Sequence, residues 1–251
     1  MSPLFSAQGV GKMYGTHIGC RDVNFDLYPG EVLGIVGESG SGKTTLLRCL
    51  ASQLEADFGQ ALYEGKNTFN MGEPQRRHLQ RTQWAFVHQN PRDGLRMNVS
   101  AGGNIGERLM AVGDRHYGQI RGRAEDWLDR VEIDPGRIDA RPSTFSGGMQ
   151  QRLQIARNLI SGPRLVFMDE PTGGLDVSVQ ARLLDLIRSL VRDLGLSAII
   201  VTHDLAVVRL LADTLMVMKS GYVVEQGLTD QVLDDPQHAY TQLLVSSVLR
   251  V

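Results

Sequence analysis

The octapeptide GESGSGKT, Gly37–Thr44, constrains this chain more than any other stretch. It fits GxxxxGK[ST], and it stands between an apolar run, "EVLGIVG", and a segment of helical spacing, "KTTLLRCLASQL" (Lys43–Leu54). That strand–loop–helix context is what a phosphate-binding loop requires. Gly37, Gly40 and Gly42 let the backbone turn tightly and approach an anion closely. The loop N–H groups and the helix start together form an anion nest. Lys43 supplies a point charge for the β- and γ-phosphates of a nucleotide, and the Thr44 hydroxyl is a ligand for Mg²⁺. The residues expected to line the nucleotide here are Gly37, Glu38, Ser39, Gly40, Ser41, Gly42, Lys43, Thr44 and Thr45.

The rest of the chain repeats the strand–helix alternation. "QALYEG", "WAFVHQ", "RLVFMDE" and "SAIIVTH" read as strands. "VSVQARLLDLIRSLVRDLG" reads as an amphipathic helix ending at Gly195. "TLMVMKSGYVVEQG" reads as a hairpin turning at Ser220-Gly221, and the tail from Thr229 is helical in pattern. Such alternation predicts an α/β fold with a mainly parallel sheet and helices on both faces. From about Asp93 to Ile160 helical patterns dominate, which reads as an inserted lobe.

Composition narrows the function classes. With 251 residues, 42% of them hydrophobic, the chain can bury a large core. A net charge of −2, from 26 basic and 28 acidic residues, gives no reason to expect a nucleic-acid or membrane-surface partner. Cys20 and Cys49 are the only cysteines and have no CxxC spacing. That excludes a disulfide scaffold and a cysteine-rich zinc site, and it suits a reducing cytosol. The start "MSPLFSAQGV" lacks a basic, then apolar, leader pattern. No apolar run approaches the ~20 residues of a membrane span. A cytoplasmic location is expected.

Further places carry chemistry. "LVFMDE" puts Asp169 and Glu170 at the carboxyl end of a buried strand, where α/β sheets bind ligands. Asp169 can hold Mg²⁺, and Glu170 can polarise an attacking water; acidic residues that merely cap a strand give the same pattern. "TFSGGMQQRLQIARNL" has Ser146 as an N-cap with Gly147 and Gly148 in the first turn, a start whose N–H groups can face an anion. Those glycines weaken the helix by about 1 kcal/mol each relative to alanine. A second phosphate-binding helix start in one chain suggests a dimer in which each copy closes the other's site. Gln89 and His203 end strands, where each can sense phosphate, metal or water, although each also fits an ordinary satisfied polar residue. Tyr14 can stack on a base or sit in a core, and Asp176, in "GGLD", can reach a partner chain. The basic run "QRRHLQR" fits a solvated helix face.

Taken in order, Tyr14, Gly37–Thr44, Gln89, "FSGGM" (Phe145–Met149), "LVFMDE", "GGLD" and His203 resemble the ATP-binding-cassette ATPases over nearly the whole chain. The resemblance implies one ABC ATPase domain, a P-loop NTPase with a mainly parallel core sheet, an antiparallel β subdomain and an inserted helical subdomain. Residues 1–92 and 162–228 would form the RecA-like and β parts, residues 93–161 the helical subdomain, and residues 229–251 a helical tail. It implies ATP and Mg²⁺ as cofactors, with Thr44, Gln89 and Asp169 at the metal, and Glu170, His203, Gln89 and Lys43 in catalysis. Tyr14, the loop residues through Thr45, Ser146, Gly147, Gly148 and Asp176 would bind nucleotide across a head-to-tail dimer of this chain with itself or a related cassette. Phe145 and Met149 stand where many members carry leucine and glutamine, but the serine and glycines remain.

The stretch "HQNPRDGLRMNVSAGGNIGERLM" (His88–Met110) lies where such ATPases meet the partner they drive. The tail "DDPQHAYTQLLVSSVL" resembles the dipeptide, oligopeptide and nickel importer branch. The middle stretch departs from that branch and resembles the carbon–phosphorus lyase branch, which implies docking on soluble lyase core subunits in phosphonate breakdown. Asn90–Met110 is the expected docking segment. Gly102, Gly103 and Gly106 are expected to keep it adaptable, and Arg92, Arg96 and Arg108 to offer charged contacts.

Overall fold

The computed structural model describes residues 2–248; residues 249–251, the last of the expected helical tail, lie outside the described residues. The chain begins with β1 (Phe5–Tyr14), β2 (His17–Leu27), β3 (Val32–Val36), α1 (Lys43–Leu50), β4 (Phe58–Tyr63) and β5 (Lys66–Asn67). Next come α2 (Glu73–Thr82), β6 (Trp84–Val87), α3 (Pro91–Gly94), α4 (Ala101–Ala111), α5 (Tyr117–Arg130), α6 (Gly147–Leu159), β7 (Leu165–Asp169) and α7 (Val177–Leu194). It ends with β8 (Ser197–Thr202), α8 (Leu205–Leu211), β9 (Thr214–Lys219), β10 (Tyr222–Leu228), α9 (Thr229–Asp234) and α10 (Ala239–Val248). These elements fall into two units. One comprises the chain up to Arg76 together with the chain from Val191; the other is Arg77–Leu190. The second unit therefore carries β6, β7 and most of α7 besides the helical segment.

The first unit holds two sheets. One is antiparallel, in the order β2-β1-β4-β5. The other centres on β3, which pairs in parallel with β8 on one side and β9 on the other, while β10 runs antiparallel to β9. Both β3 and β8 are buried at every position, as expected for parallel strands covered on both faces. The β9–β10 hairpin turns at Ser220 and Gly221, with φ of 50° and 85°. Two positive values in a two-residue loop match the twist of the flanking strands. Helix α8 lies directly on β3: a Cβ added at Gly34 would stand 2.8 Å from Val208 Cγ1 and 3.0 Å from Ala212 Cβ. Val36, Leu205, Val208, Leu215 and Val217 form an apolar cluster that Val232, Leu233 and Tyr240 of the tail complete.

In the second unit β6 and β7 pair in parallel, Trp84 opposite Leu165 through Val87 opposite Met168. Trp84 meets Phe167 edge-on at 5.4 Å. Helix α4 packs against α5 and α6. No residue of α2 is buried, so its basic run is a solvated face as the sequence indicates.

Two local readings change. Helix α1 stops at Leu50 instead of running to Leu54. Ser52 takes a left-handed φ of 54°, and the Arg48 carbonyl accepts the N–H groups of both Gln53 and Leu54. That tight turn satisfies the helix end and stops its propagation. Strands β6 and β8 are also shorter than read, so Gln89 and His203 stand on the loops that follow them.

The close seat of α8 on β3 sets an expectation. Gly34→Val should lower the unfolding free energy by about 1–3 kcal/mol through overpacking. The drop would appear as a lower urea midpoint with an unchanged slope.

Candidate functional site

In the first unit, β3 runs straight into the phosphate loop. A Cβ at Gly37 would collide with the Met218 carbonyl, and one at Gly42 with the Gly19 carbonyl. Gly42 caps α1 with φ 100° and ψ 0°, a left-handed conformation that strains residues with a side chain. Both glycines are therefore demanded by the fold itself. Lys43 is only 6% exposed. Its ammonium donates to the carbonyls of Gly37 at 2.8 Å and Glu38 at 2.9 Å, and to Ser41 Oγ at 3.4 Å. The Gly221 N–H donates to the Ser41 carbonyl at 2.9 Å, tying the loop to the β9–β10 turn. Thr44 and Thr45 follow in the first turn of α1.

Tyr14 ends β1 and is half exposed. The two residues before it are held by Asp57, whose carboxylate accepts the Met13 N–H at 2.7 Å and the Lys12 ammonium at 2.9 Å. The Met13 N–H first, then Lys12, holds the Asp57 carboxyl below its ordinary range. His203 is exposed between two fixed neighbours. The Asp204 N–H donates to Thr202 Oγ1 at 3.1 Å, and the Asp204 carboxylate caps α8 through the Ala206 N–H at 2.8 Å.

The second unit carries the other candidate residues. Asp169 ends β7 and is buried. Glu170 follows with φ 45°, a left-handed backbone uncommon for a residue with a side chain. Strain of this kind persists only where the surroundings impose it, and it concentrates at functional positions. The Glu170 carbonyl accepts the Gly173 N–H at 2.9 Å. A Cβ at Gly173 would stand 3.2 Å from that carbonyl and 3.3 Å from Gln89 Nε2. The fold thus brings the Gln89 side chain and the Glu170 carbonyl against one glycine, as their sequence separation could not reveal.

Ser146 caps α6, its hydroxyl accepting the Met149 N–H at 3.3 Å. Gly148 has a packing reason as well: a Cβ there would lie 2.6 Å from Val179 Cγ1 on α7. Asp176 precedes α7, and its carbonyl accepts the N–H groups of Val179 and Gln180.

Sequence reasoning missed three glutamines on α6. Gln150 Nε2 donates to the carbonyls of Pro142 and Phe145, both at 3.0 Å, holding the chain just ahead of Ser146. Gln154 accepts the His88 N–H at 2.6 Å and donates to the His88 carbonyl at 3.1 Å; Gln151 donates to the same carbonyl at 3.2 Å. One helix therefore grips the residue before Gln89 and the residue before Ser146. The signal was present as polar residues spaced for one helix face.

Within residues 90–110 the expectations for Arg108 and for the three glycines change. Arg108 is withdrawn from the surface: its guanidinium donates to the carbonyls of Gln80 and Trp84 at 3.2 and 3.1 Å. Burial, and then the neighbouring Arg157, lower its pKa. Gly102, Gly103 and Gly106 lie within α4 and admit close neighbours, Ile138, Val99 and Ile120 respectively, rather than loosening the chain. Arg96 pairs with Glu107 at 2.7 Å, whereas Arg92 stands exposed.

Among the described residues no group of three or more His, Cys, Asp or Glu can enclose a metal. The hydroxyl of Thr44 in the first unit, and the carboxylate of Asp169 and amide oxygen of Gln89 in the second, are each hard-oxygen groups of the kind Mg²⁺ takes. No helix of the described residues is long and apolar enough to cross a membrane.

Residues 20–173 match the family model described as ABC transporter. A protein of Escherichia coli K12 bearing the name phosphonates utilization ATP-binding protein PhnK is 66% identical over 248 residues, covering 99% of this chain and 98% of its own. The oligopeptide transport ATP-binding protein OppF of Salmonella typhimurium is 39% identical over 227 residues, 90% of this chain and 68% of its own. Among solved structures, the dimeric ATP-binding cassette MJ0796, bound to ADP and phosphate in a post-hydrolysis state, superposes with a TM-score of 0.82 at 26% identity. That match covers 90% of this chain and 98% of the cassette.

The grip of α6 on His88 is measurable. Gln154→Leu keeps the side-chain bulk but leaves the His88 N–H without its acceptor, which should cost about 1–3 kcal/mol of stability in urea unfolding. A stability equal to wild type would show that the His88 peptide does not depend on α6.

Proposed function

The chain belongs to the ABC transporter family of ATP-binding cassettes, and from that premise we propose that it is a Mg²⁺-dependent ATPase serving a cytoplasmic phosphonate-degrading system. In this reading it docks on the soluble core subunits of a carbon–phosphorus lyase rather than on a permease. What carries the reading is the similarity, along nearly the full length, to the Escherichia coli phosphonates-utilisation protein. The candidate residues divide the chemistry among them. The loop Gly37–Thr45 binds the phosphates through its N–H groups, and Lys43 neutralises their charge. Thr44, Asp169 and Gln89 would hold Mg²⁺, which would supply positive charge toward the phosphates. Glu170 takes the proton of a water that attacks the γ-phosphorus, while the bond to the β-phosphate oxygen breaks and ADP departs. His203 orients the γ-phosphate and Tyr14 stacks on the base. Phosphoryl transfer needs little covalent help, so positioned charge and dipoles supply most of the acceleration.

Ser146, Gly147, Gly148 and Asp176 act in the site of a second cassette, another copy or a related chain, arranged head to tail. The dimeric state of the MJ0796 cassette supports this arrangement. A second reading, the ATPase of a peptide-type importer, is favoured by the similarity to OppF. Fractionation of native cells separates the two. An importer subunit follows membranes with its permease, whereas the proposed protein copurifies with soluble lyase subunits.

Three variants test the assignment. Glu170→Gln should retain ATP and lose turnover by about 10²–10⁴-fold; undiminished turnover would remove Glu170 from catalysis. Lys43→Ala should abolish tight ATP binding in a nucleotide titration. Arg92→Glu, at the exposed arginine of the docking segment, should weaken copurification with the partner complex while leaving ATP affinity unchanged.

A further inference from the structure

The C-terminal helix α10 reaches the phosphate loop through one hydroxyl. Tyr240 is 5% exposed, with its ring in the apolar cluster beside Val36 and Val217 and the Lys219 ammonium 4.7 Å from the ring centre. Its hydroxyl oxygen accepts the backbone N–H of Glu38 at 3.0 Å. The carbonyl of the same Glu38 accepts the Ser41 N–H at 3.1 Å and the Lys43 ammonium at 2.9 Å. Glu38 is thus held at both its N–H and its C=O, and one of those partners is the lysine expected to meet phosphate.

The entry to α10 is itself fixed. The Glu225 carboxylate accepts the Gln237 N–H at 2.7 Å and the His238 N–H at 3.0 Å. His238 Nδ1 then accepts the Tyr240 N–H at 3.1 Å. Residues on β10, on the turn before α10 and on α10 form one continuous path that ends on the phosphate loop.

From this path we infer that Tyr240 is a positioning residue for nucleotide binding. Its hydroxyl sets the Glu38 peptide, and through the Glu38 carbonyl it sets where the Lys43 ammonium waits. The tail is then a strap that pre-organises the loop, and binding to a pre-organised loop costs less ordering. The inference rests on the reading that Gly37–Thr44 binds nucleotide phosphate. It goes beyond that reading by giving the tail a share in affinity.

The test uses the full-length chain, ATP itself and two variants. Tyr240→Phe removes the hydroxyl and keeps the ring in its cluster. Leu244→Ala thins the packing of α10 against the same cluster and leaves the hydroxyl in place. Tyr240→Phe should raise the Kd for ATP by about three- to tenfold, the loss of one hydrogen bond. Hydrogen exchange at the Glu38 amide should speed up at the same time. Leu244→Ala should lower the melting temperature yet hold ATP affinity within about twofold. An unchanged Kd and unchanged Glu38 exchange in Tyr240→Phe would overturn the strap. So would equal affinity losses in both variants that follow the fall in melting temperature, since that is what bulk packing alone would give. A wild-type chain that does not bind ATP would instead sink the nucleotide reading, and the strap with it.

Discussion

A lysine ammonium taken almost out of water must find acceptors, and Lys43 finds them on its own loop. That requirement organises the first unit. The acceptors are backbone carbonyls, so the path of the loop from Gly37 to Ser41 has to be held. Gly37 passes against the Met218 carbonyl, Gly42 against the Gly19 carbonyl, and Ser41 is tied to Gly221. Strands β2 and β9 and the β9–β10 turn therefore each touch the loop. The buried central strand β3 delivers the loop to that place, and α8 packs so closely on β3 that Gly34 has no room for a side chain.

In the second unit the comparable organiser is α6. Its first turn carries Ser146, Gly147 and Gly148, whose role toward nucleotide is proposed. Its buried residues include three glutamines beside Leu153, Ile155, Ala156 and Leu159. Buried amides must be paired, and here they pair with the backbone at Phe145 and His88. The cost of a polar core position is offset by the fixing of two loops. The left-handed Glu170 belongs to the same logic. Its carbonyl is held by Gly173, and Gln89 lies against that same glycine.

How much was legible depended on range. The phosphate loop, the Ser146 cap, the Ser220-Gly221 hairpin and the strand cores were readable because neighbouring residues specify them. Glycine spacing, a serine three residues before a free N–H, and unbroken apolar runs are local signals. The end of α1 was misjudged because Leu54 continues the helical spacing while Ser52 turns left-handed. Arg108 was misjudged because arginine usually seeks solvent, and the carbonyls of Gln80 and Trp84 that draw it inward come from another part of the chain. Gly102, Gly103 and Gly106 read as flexible, yet on α4 each makes room for a neighbour from outside that helix, Ile138, Val99 and Ile120.

By itself the sequence determined the chemistry on offer: a phosphate loop, a carboxylate pair after a buried strand, a glycine-rich helix start, and the order that marks the ABC family. Those features are written in residue type and short spacing, which sterics and hydrogen-bonding capacity translate directly into local structure. Only the tertiary structure decided which backbone groups each polar side chain would hold. Tyr240 and Glu38 are 202 positions apart, and Gln154 and His88 are 66 apart. No local propensity links such residues; they meet because the buried strands and the apolar cluster set where the loops end.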